Sequence, residues 1–306
     1  FGGMLFGHLL ATMFLLGAVY LLIDDDVSTR RLVASGLLAG AAVAAEYPTA
    51  VAVVVVVLFV FWKVRLRAGW FIAGGLPAAA LLGIYHTIAF GSPLAHPYRY
   101  NVFSGVVADQ KEILSEFSSL QFGNLARIFF SGRGFLVASP IVIIGLVGAA
   151  TLIYRRRGNE RALAVMTLGV FLALLGIPLF WGNPFGGFSP GPRYMTAALP
   201  LLAFGVVAAW RWRPVLTKFA VSLSIVTMGL AVLTNPLVDS YGPGGLGTWL
   251  GLAAEGTFVD SVFTMWLGAW GWLVHGIAVA LCGYSLYGAW RSRGDFHMYP
   301  TGDSVV

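Results

Sequence analysis

Positive charge in this chain is sorted. Twelve of the 19 Lys and Arg residues fall in four short clusters: Lys63/Arg65/Arg67, Arg155/Arg156/Arg157/Arg161, Arg211/Arg213/Lys218 and Arg291/Arg293. Between them lie apolar runs of roughly 17–25 residues, the length of a transmembrane helix. Hydrophobic residues are 58% of the chain and charged residues 10%, with a mean hydropathy of +0.82. A soluble domain keeps a polar shell and could not hide so much apolar surface. The net charge of +6 does not point to nucleic acid, because it is parcelled into short loops between spans. The single cysteine, Cys282, excludes an intrachain disulfide and a cysteine-based metal cluster.

The expected fold class is all-α, a polytopic transmembrane helical bundle of about eight or nine spans. The spans fall near 4–23, 32–62, 69–90, 135–154, 162–181, 194–210, 215–235 and 262–290. The stretch 32–62 is too long for one ordinary span, and Glu46-Tyr47-Pro48 interrupts it. Proline removes a helix donor and disfavours helix at the residue before it. The reading is therefore two short helices meeting at that break, with one kinked span as the alternative. One helical domain is expected over 1–293, then a short polar cytoplasmic tail over 294–306. The chain starts in mid-apolar sequence at Phe1, so it reads as the C-terminal portion of a longer protein.

The clusters alternate with loops 91–134, 182–193 and 236–261, and the last of these has no Lys or Arg. By the positive-inside rule the clusters and the C-terminus are cytoplasmic and the three long loops face outward. In the hairpin reading Arg30 and Arg31 are also inside, while His8 and Glu46 are outside. Within loop 91–134, residues 108–122 form a candidate amphipathic segment, either on the membrane surface or packed on the span tops.

Ionisable groups at span ends are expensive and so are candidates for function. Glu46 sits at the helix break, either in a site or capping the second short helix through its dipole. His8, His86 and His96 lie near outer span ends, where a histidine lines a polar site or anchors an interface. No HExxH and no pair at metal-ligand spacing occurs on one helix. His275 reads as a helix–helix hydrogen-bond partner. Arg99, Arg127, Arg133 and Arg193 lie outward, against the charge bias. Arg133 in SGRG and Arg193 in SPGPRY each sit in a tight turn before a span. There a guanidinium and the following helix N-terminus can converge on one phosphate. Trp181, Phe185, Phe188, Tyr194, Tyr98 and Tyr100 either stack on a substrate or form an interfacial belt.

Five segments carry a resemblance: FGHLLATMFLL (6–16), GLLAGAAVAAEYPTAVAVVVVVLF (36–59), YHTIAFGSPL (85–94), FFSGRGFLVASPIVIIGLVG (129–148) and GGFSPGPRYMTAALPLLAF (186–204). Together they resemble the bacterial integral-membrane GT-C glycosyltransferases related to dolichyl-phosphate-mannose protein mannosyltransferases and the lipid A aminoarabinose transferase. The resemblance implies an enzyme of the bacterial cytoplasmic membrane, active on the extracytoplasmic face. It would move a sugar from a polyprenyl-phosphate donor to a glycan, lipid or protein acceptor. It implies no certain cofactor and leaves a divalent metal open. The family's catalytic carboxylate, in the first outward loop, would lie before residue 1. Arg193 and Arg133 would bind the donor phosphate, with Glu46, Tyr47, His8, His86, Arg99 and Tyr194 lining the site. The competing readings are a transporter or flippase of lipid-linked or anionic substrates, and a lipid-linked glycan polymerase or ligase.

Overall fold

The apolar runs fold as helices, since a backbone in lipid must satisfy its own hydrogen bonds. The computed structural model describes residues 7–95, 102–103, 106–107, 120–181, 183–238 and 244–291. The helical domain expected over 1–293 packs as two compact units, Phe1–Phe258 and Val259–Val306.

The first unit begins with four helices, α1 (Gly7–Tyr20), α2 (Thr29–Ala45), α3 (Thr49–Val64) and α4 (Ala68–Phe90). A two-residue antiparallel pair follows, β1 (Val102–Phe103) and β2 (Val106–Val107), with Val102 opposite Val107 and Phe103 opposite Val106. Then come α5 (Gly123–Phe130), α6 (Phe135–Ala138), α7 (Ile141–Arg155), α8 (Gly158–Phe180), α9 (Ala203–Trp212), α10 (Pro214–Thr234) and α11 (Leu246–Ala254). The second unit contains α12 (Val262–Leu267) and α13 (Gly271–Arg291). There His275 Nε2 lies 2.8 Å from the hydroxyl of Ser261, the N-cap of α12, so it joins the two helices as expected.

Two glycine-built crossings organise the first unit. A Cβ added at Gly36 of α2 would lie 1.8 Å from the Phe71 carbonyl oxygen of α4, and one at Gly74 would lie 2.1 Å from that of Val33. The backbones therefore touch, as small residues allow. Gly40 meets Ala78 further along, so α2 and α4 run parallel. The device recurs between α7 and α9, where a Cβ at Gly148 would lie 1.9 Å from the Gly205 carbonyl oxygen. Between the pairs, α3 and α8 meet with Gly169 against Val55. Val56, Val60, Val170, Phe171 and Leu174 are buried in this core.

The contacts at the two ends set the helix directions. At one end Lys63 donates to the Leu22 carbonyl and to Asn159 Oδ1, both at 2.8 Å. Arg67 donates to the Val27 carbonyl at 2.6 Å, and Arg31 pairs with Asp24. At the other end Glu46 meets His8 and Tyr47 meets His86. The stretch 32–62 is therefore a hairpin: α2 leaves the basic end, α3 returns to it, and α4 leaves again. The triplet α7–α8–α9 runs in the opposite sense.

The expected eight or nine spans are not reached by length and composition. Among the described residues five helical stretches are long and apolar enough to cross a membrane: Thr49–Phe90, Gly158–Phe180, Arg193–Trp212, Pro214–Thr234 and Val262–Leu281. A sixth is added if the pair Gly123–Ala138 and Ile141–Arg155, bent by 96°, counts as one. The shortfall has physical causes. α1 has 14 residues and α2 has 17; at 1.5 Å per residue they reach about 21 and 26 Å, less than the ~30 Å hydrocarbon thickness. Thr49–Phe90 holds two helices joined by the 3₁₀ turn Arg65–Arg67. The expected span 135–154 is split at Ser139-Pro140, whereas 194–210, which begins as 3₁₀ turns over Arg193–Ala198 and Pro200–Leu202, still counts among the five. The length and apolarity of the five stretches still mark an integral membrane protein. Of the segment 108–122, residues 108–119 lie outside the described residues, as does the tail 294–306.

Candidate functional site

The end of the bundle opposite the basic clusters gathers most of the sequence-predicted polar residues. The Glu46-Tyr47-Pro48 break presents two neighbouring side chains to two different helices. Glu46 is the C-cap of α2, and its Oε1 lies 2.5 Å from His8 Nδ1 near the start of α1. Both side chains are nearly buried, at 12% and 10% exposure. The carboxylate is thus spent on His8, and the N-terminus of α3 takes no side-chain cap, which replaces the capping alternative.

Tyr47 turns to α4. Its hydroxyl lies 2.8 Å from His86 Nε2, and His86 Nδ1 lies 3.3 Å from the Pro93 carbonyl oxygen. A carbonyl can only accept, so Nδ1 carries the proton and Nε2 accepts from the tyrosine. Burial, and then the neighbouring Tyr85, push the Tyr47 phenol above its usual range, which keeps it a donor.

The loop before Arg193 folds around two glycines. Gly186 and Gly187 have φ of 74° and 101°, a region that side chains avoid. A Cβ at Gly186 would lie 2.5 Å from the Tyr194 ring and 3.0 Å from Arg193 Nε. The glycines thus let Arg193 and Tyr194 lie against the loop. Tyr194 is buried and links the parts: its ring is edge-on to His8 at 6.3 Å, 6.0 Å from Trp181, and 5.4 Å from the Arg193 guanidinium carbon. Arg193 itself is half-buried.

Arg133 is placed differently. It is 5% exposed, donates to the Ser189 carbonyl at 3.3 Å, and stacks on Phe185 at 4.3 Å. It ties the turn before α6 to the same loop, while exposed Arg127 lies 6.0 Å from Phe185. The backbone N–H of Arg193 bonds the Phe185 carbonyl at 3.4 Å. Phe185 is therefore the hinge between the two arginines. Arg99, His96, Tyr98 and Tyr100 lie outside the described residues.

Sequence reasoning missed Asn124. It is buried, and its amide donates to the Pro178 and Trp181 carbonyls, both at 2.9 Å. These are orphan carbonyls at the end of α8, so Asn124 caps that helix from α5 and holds Trp181 beside Tyr194. Its only sequence signal is a lone amide beside Gly123, too common to single out.

Among the described residues no three His, Cys, Asp or Glu side chains come together in a way that could hold a metal ion. Chemically, the cluster offers a cation in a tight turn, an acid–imidazole pair and aromatic faces. Comparison with protein-family models, with curated proteins and with solved structures finds no match.

Proposed function

We propose that the chain is a membrane glycosyltransferase of the GT-C type. It moves a sugar from a polyprenyl-phosphate donor to an acceptor at the extracytoplasmic face, which is the face that carries Glu46 and Arg193. The observation that carries the reading is Arg193. It is a half-buried cation at the end of the bundle away from the basic clusters, shaped by Gly186 and Gly187 and joined through Tyr194 to the His8–Glu46 pair.

In such a transfer the bond between the anomeric carbon and the phosphate oxygen breaks, and its electron pair leaves with the phosphate. Charge grows on that oxygen in the transition state, where a fixed guanidinium stabilises it more than in the ground state. The acceptor hydroxyl binds the anomeric carbon and gives its proton to a carboxylate. Arg133 serves this scheme by holding the 183–191 loop through Ser189 and Phe185. Tyr194 and Trp181 offer faces for a sugar or a prenyl chain.

A second reading, a transporter of lipid-linked anions, draws on the two oppositely directed helix triplets. The close apolar contact of α3 with α8 weighs against it, because a path between the triplets would have to open that core. The test is transfer of sugar from a polyprenyl-phosphate donor by the full-length protein in proteoliposomes. Arg193→Ala is expected to lower turnover about a hundredfold or more. Turnover equal to that of the unaltered protein would refute the phosphate role. Movement of donor across the bilayer without transfer would favour the second reading.

A further inference from the structure

The basic end of the bundle holds a cavity of about 390 Å³ that the transfer reaction does not use. Its walls are Asp25 from the α1–α2 connection, Trp62, Lys63 and Arg65 from the end of α3, and Gly158 and Asn159 from the start of α8. Two cations and one carboxylate leave the lining net positive.

The two cations differ in what they are free to do. The Lys63 ammonium has three donors and three acceptors nearby: the Leu22 and Ile23 carbonyls at 2.8 and 3.4 Å, and Asn159 Oδ1 at 2.8 Å. It is spent on holding α1, α3 and α8 together and contributes only its field. Arg65 is exposed, and its guanidinium has no hydrogen-bond or ion-pair partner among the described residues.

The backbone at Arg65 is the second observation. Its φ is 50° with ψ of −121°, the only positive φ outside glycine among the described residues. A glycine would adopt this conformation without cost, whereas a residue with a Cβ is strained there. The chain ends α3 with an arginine where glycine is the better fit, and that arginine lines a cavity. Trp62, beside it, is 61% exposed, as an indole at the membrane–water boundary is.

From these observations we infer that the cavity binds the headgroup of an anionic glycerophospholipid in the leaflet at the basic end. Arg65 grips the phosphodiester in two-pronged fashion. Lys63 and the first backbone amides of α8 add positive potential. Asp25 accepts from a headgroup hydroxyl, so the fit is to phosphatidylglycerol rather than to a choline lipid. Trp62 rests against the glycerol backbone. The bound lipid fastens α3 to α8 at the seam between the two helix triplets.

The test uses the purified full chain in neutral detergent, titrated with short-chain phosphatidylglycerol and followed by the unfolding midpoint. The midpoint is expected to rise with phosphatidylglycerol and not with phosphatidylcholine or inorganic phosphate. Arg65→Gly relieves the strained backbone, so it should keep or raise the lipid-free midpoint while weakening phosphatidylglycerol binding about tenfold or more. Arg65→Gln checks this without loosening the helix end. Arg161→Gln, exposed in the first turn of α8 and outside the cavity lining, should leave binding unchanged. The inference is overturned if Arg65→Gly and Arg65→Gln bind phosphatidylglycerol like the unaltered chain. Equal loss in Arg161→Gln would overturn it in favour of a diffuse surface field. An equal response to inorganic phosphate would overturn the lipid assignment.

Discussion

His8 Nδ1 and Glu46 Oε1 meet at 2.5 Å where the start of α1 crosses the end of α2. The contact joins residues from two helices at the end of the bundle away from the basic clusters, next to the buried ring of Tyr194. It makes the helix break a fixed feature, because each side chain satisfies the other where water is scarce.

Removing one partner should therefore cost more than the contact alone is worth. Glu46→Ala leaves a nearly buried imidazole without its acid and is expected to destabilise the fold by about 1–3 kcal/mol. In the double variant His8→Ala/Glu46→Ala the two losses should not add. Denaturant unfolding of the four proteins in detergent measures this, and additivity within about 0.5 kcal/mol would show the residues to be independent.

The glycine crossings predict a sharp contrast between positions. Gly36→Leu and Gly148→Leu must push backbones apart, since even a Cβ would meet a carbonyl oxygen at 1.8 and 1.9 Å. Each is expected to cost about 3 kcal/mol or more. Gly176, in the interior of α8, has nothing within 4 Å of its Cβ position, so Gly176→Ala should gain about 0.5–1 kcal/mol. Unfolding midpoints of the three variants would separate a packing role from mere helix propensity.

Tyr47 sets an alkaline limit. Its phenol is raised by burial and then by Tyr85, so the folded state holds its proton more tightly than the unfolded state. Below pH of about 10, both states are protonated and the stability is constant. Above it the unfolded chain releases the proton first, so stability falls as pH rises towards the folded-state value. The unfolding midpoint between pH 8 and 11 should show this fall, and Tyr47→Phe should flatten it while losing the bond to His86.

The directions of α1 to α4 predict which loops share a side. In a Cys282→Ser background, Ser92→Cys at the His86 end and Asp26→Cys at the Lys63 end both offer exposed thiols. A membrane-impermeant maleimide should label Ser92→Cys in intact cells and Asp26→Cys only after permeabilisation. Labelling of both from one side would contradict the hairpin at Glu46-Tyr47-Pro48.

The sequence by itself determined the helical class, the alternation of basic and non-basic ends, the break at Pro48, and the placing of His8, Glu46, His86 and Arg193 at one end. These follow from local rules, namely how long an apolar run is, where charge can stand, and what proline does to the residue before it. Only the tertiary structure decided that Glu46 reaches His8, that Tyr47 reaches His86, that Lys63 reaches Asn159 across 96 positions, and that Arg133 is tied to Ser189. The span count also went beyond the sequence, since a helix break at Ser139-Pro140 splits a run that reads as continuous and α1 and α2 are too short to cross. The reason is that lipid tails are as apolar as a protein core. A helix in such a bundle carries no polar stripe to tell its buried face from its lipid face, so which residues meet is settled by the close fit of glycine against backbone.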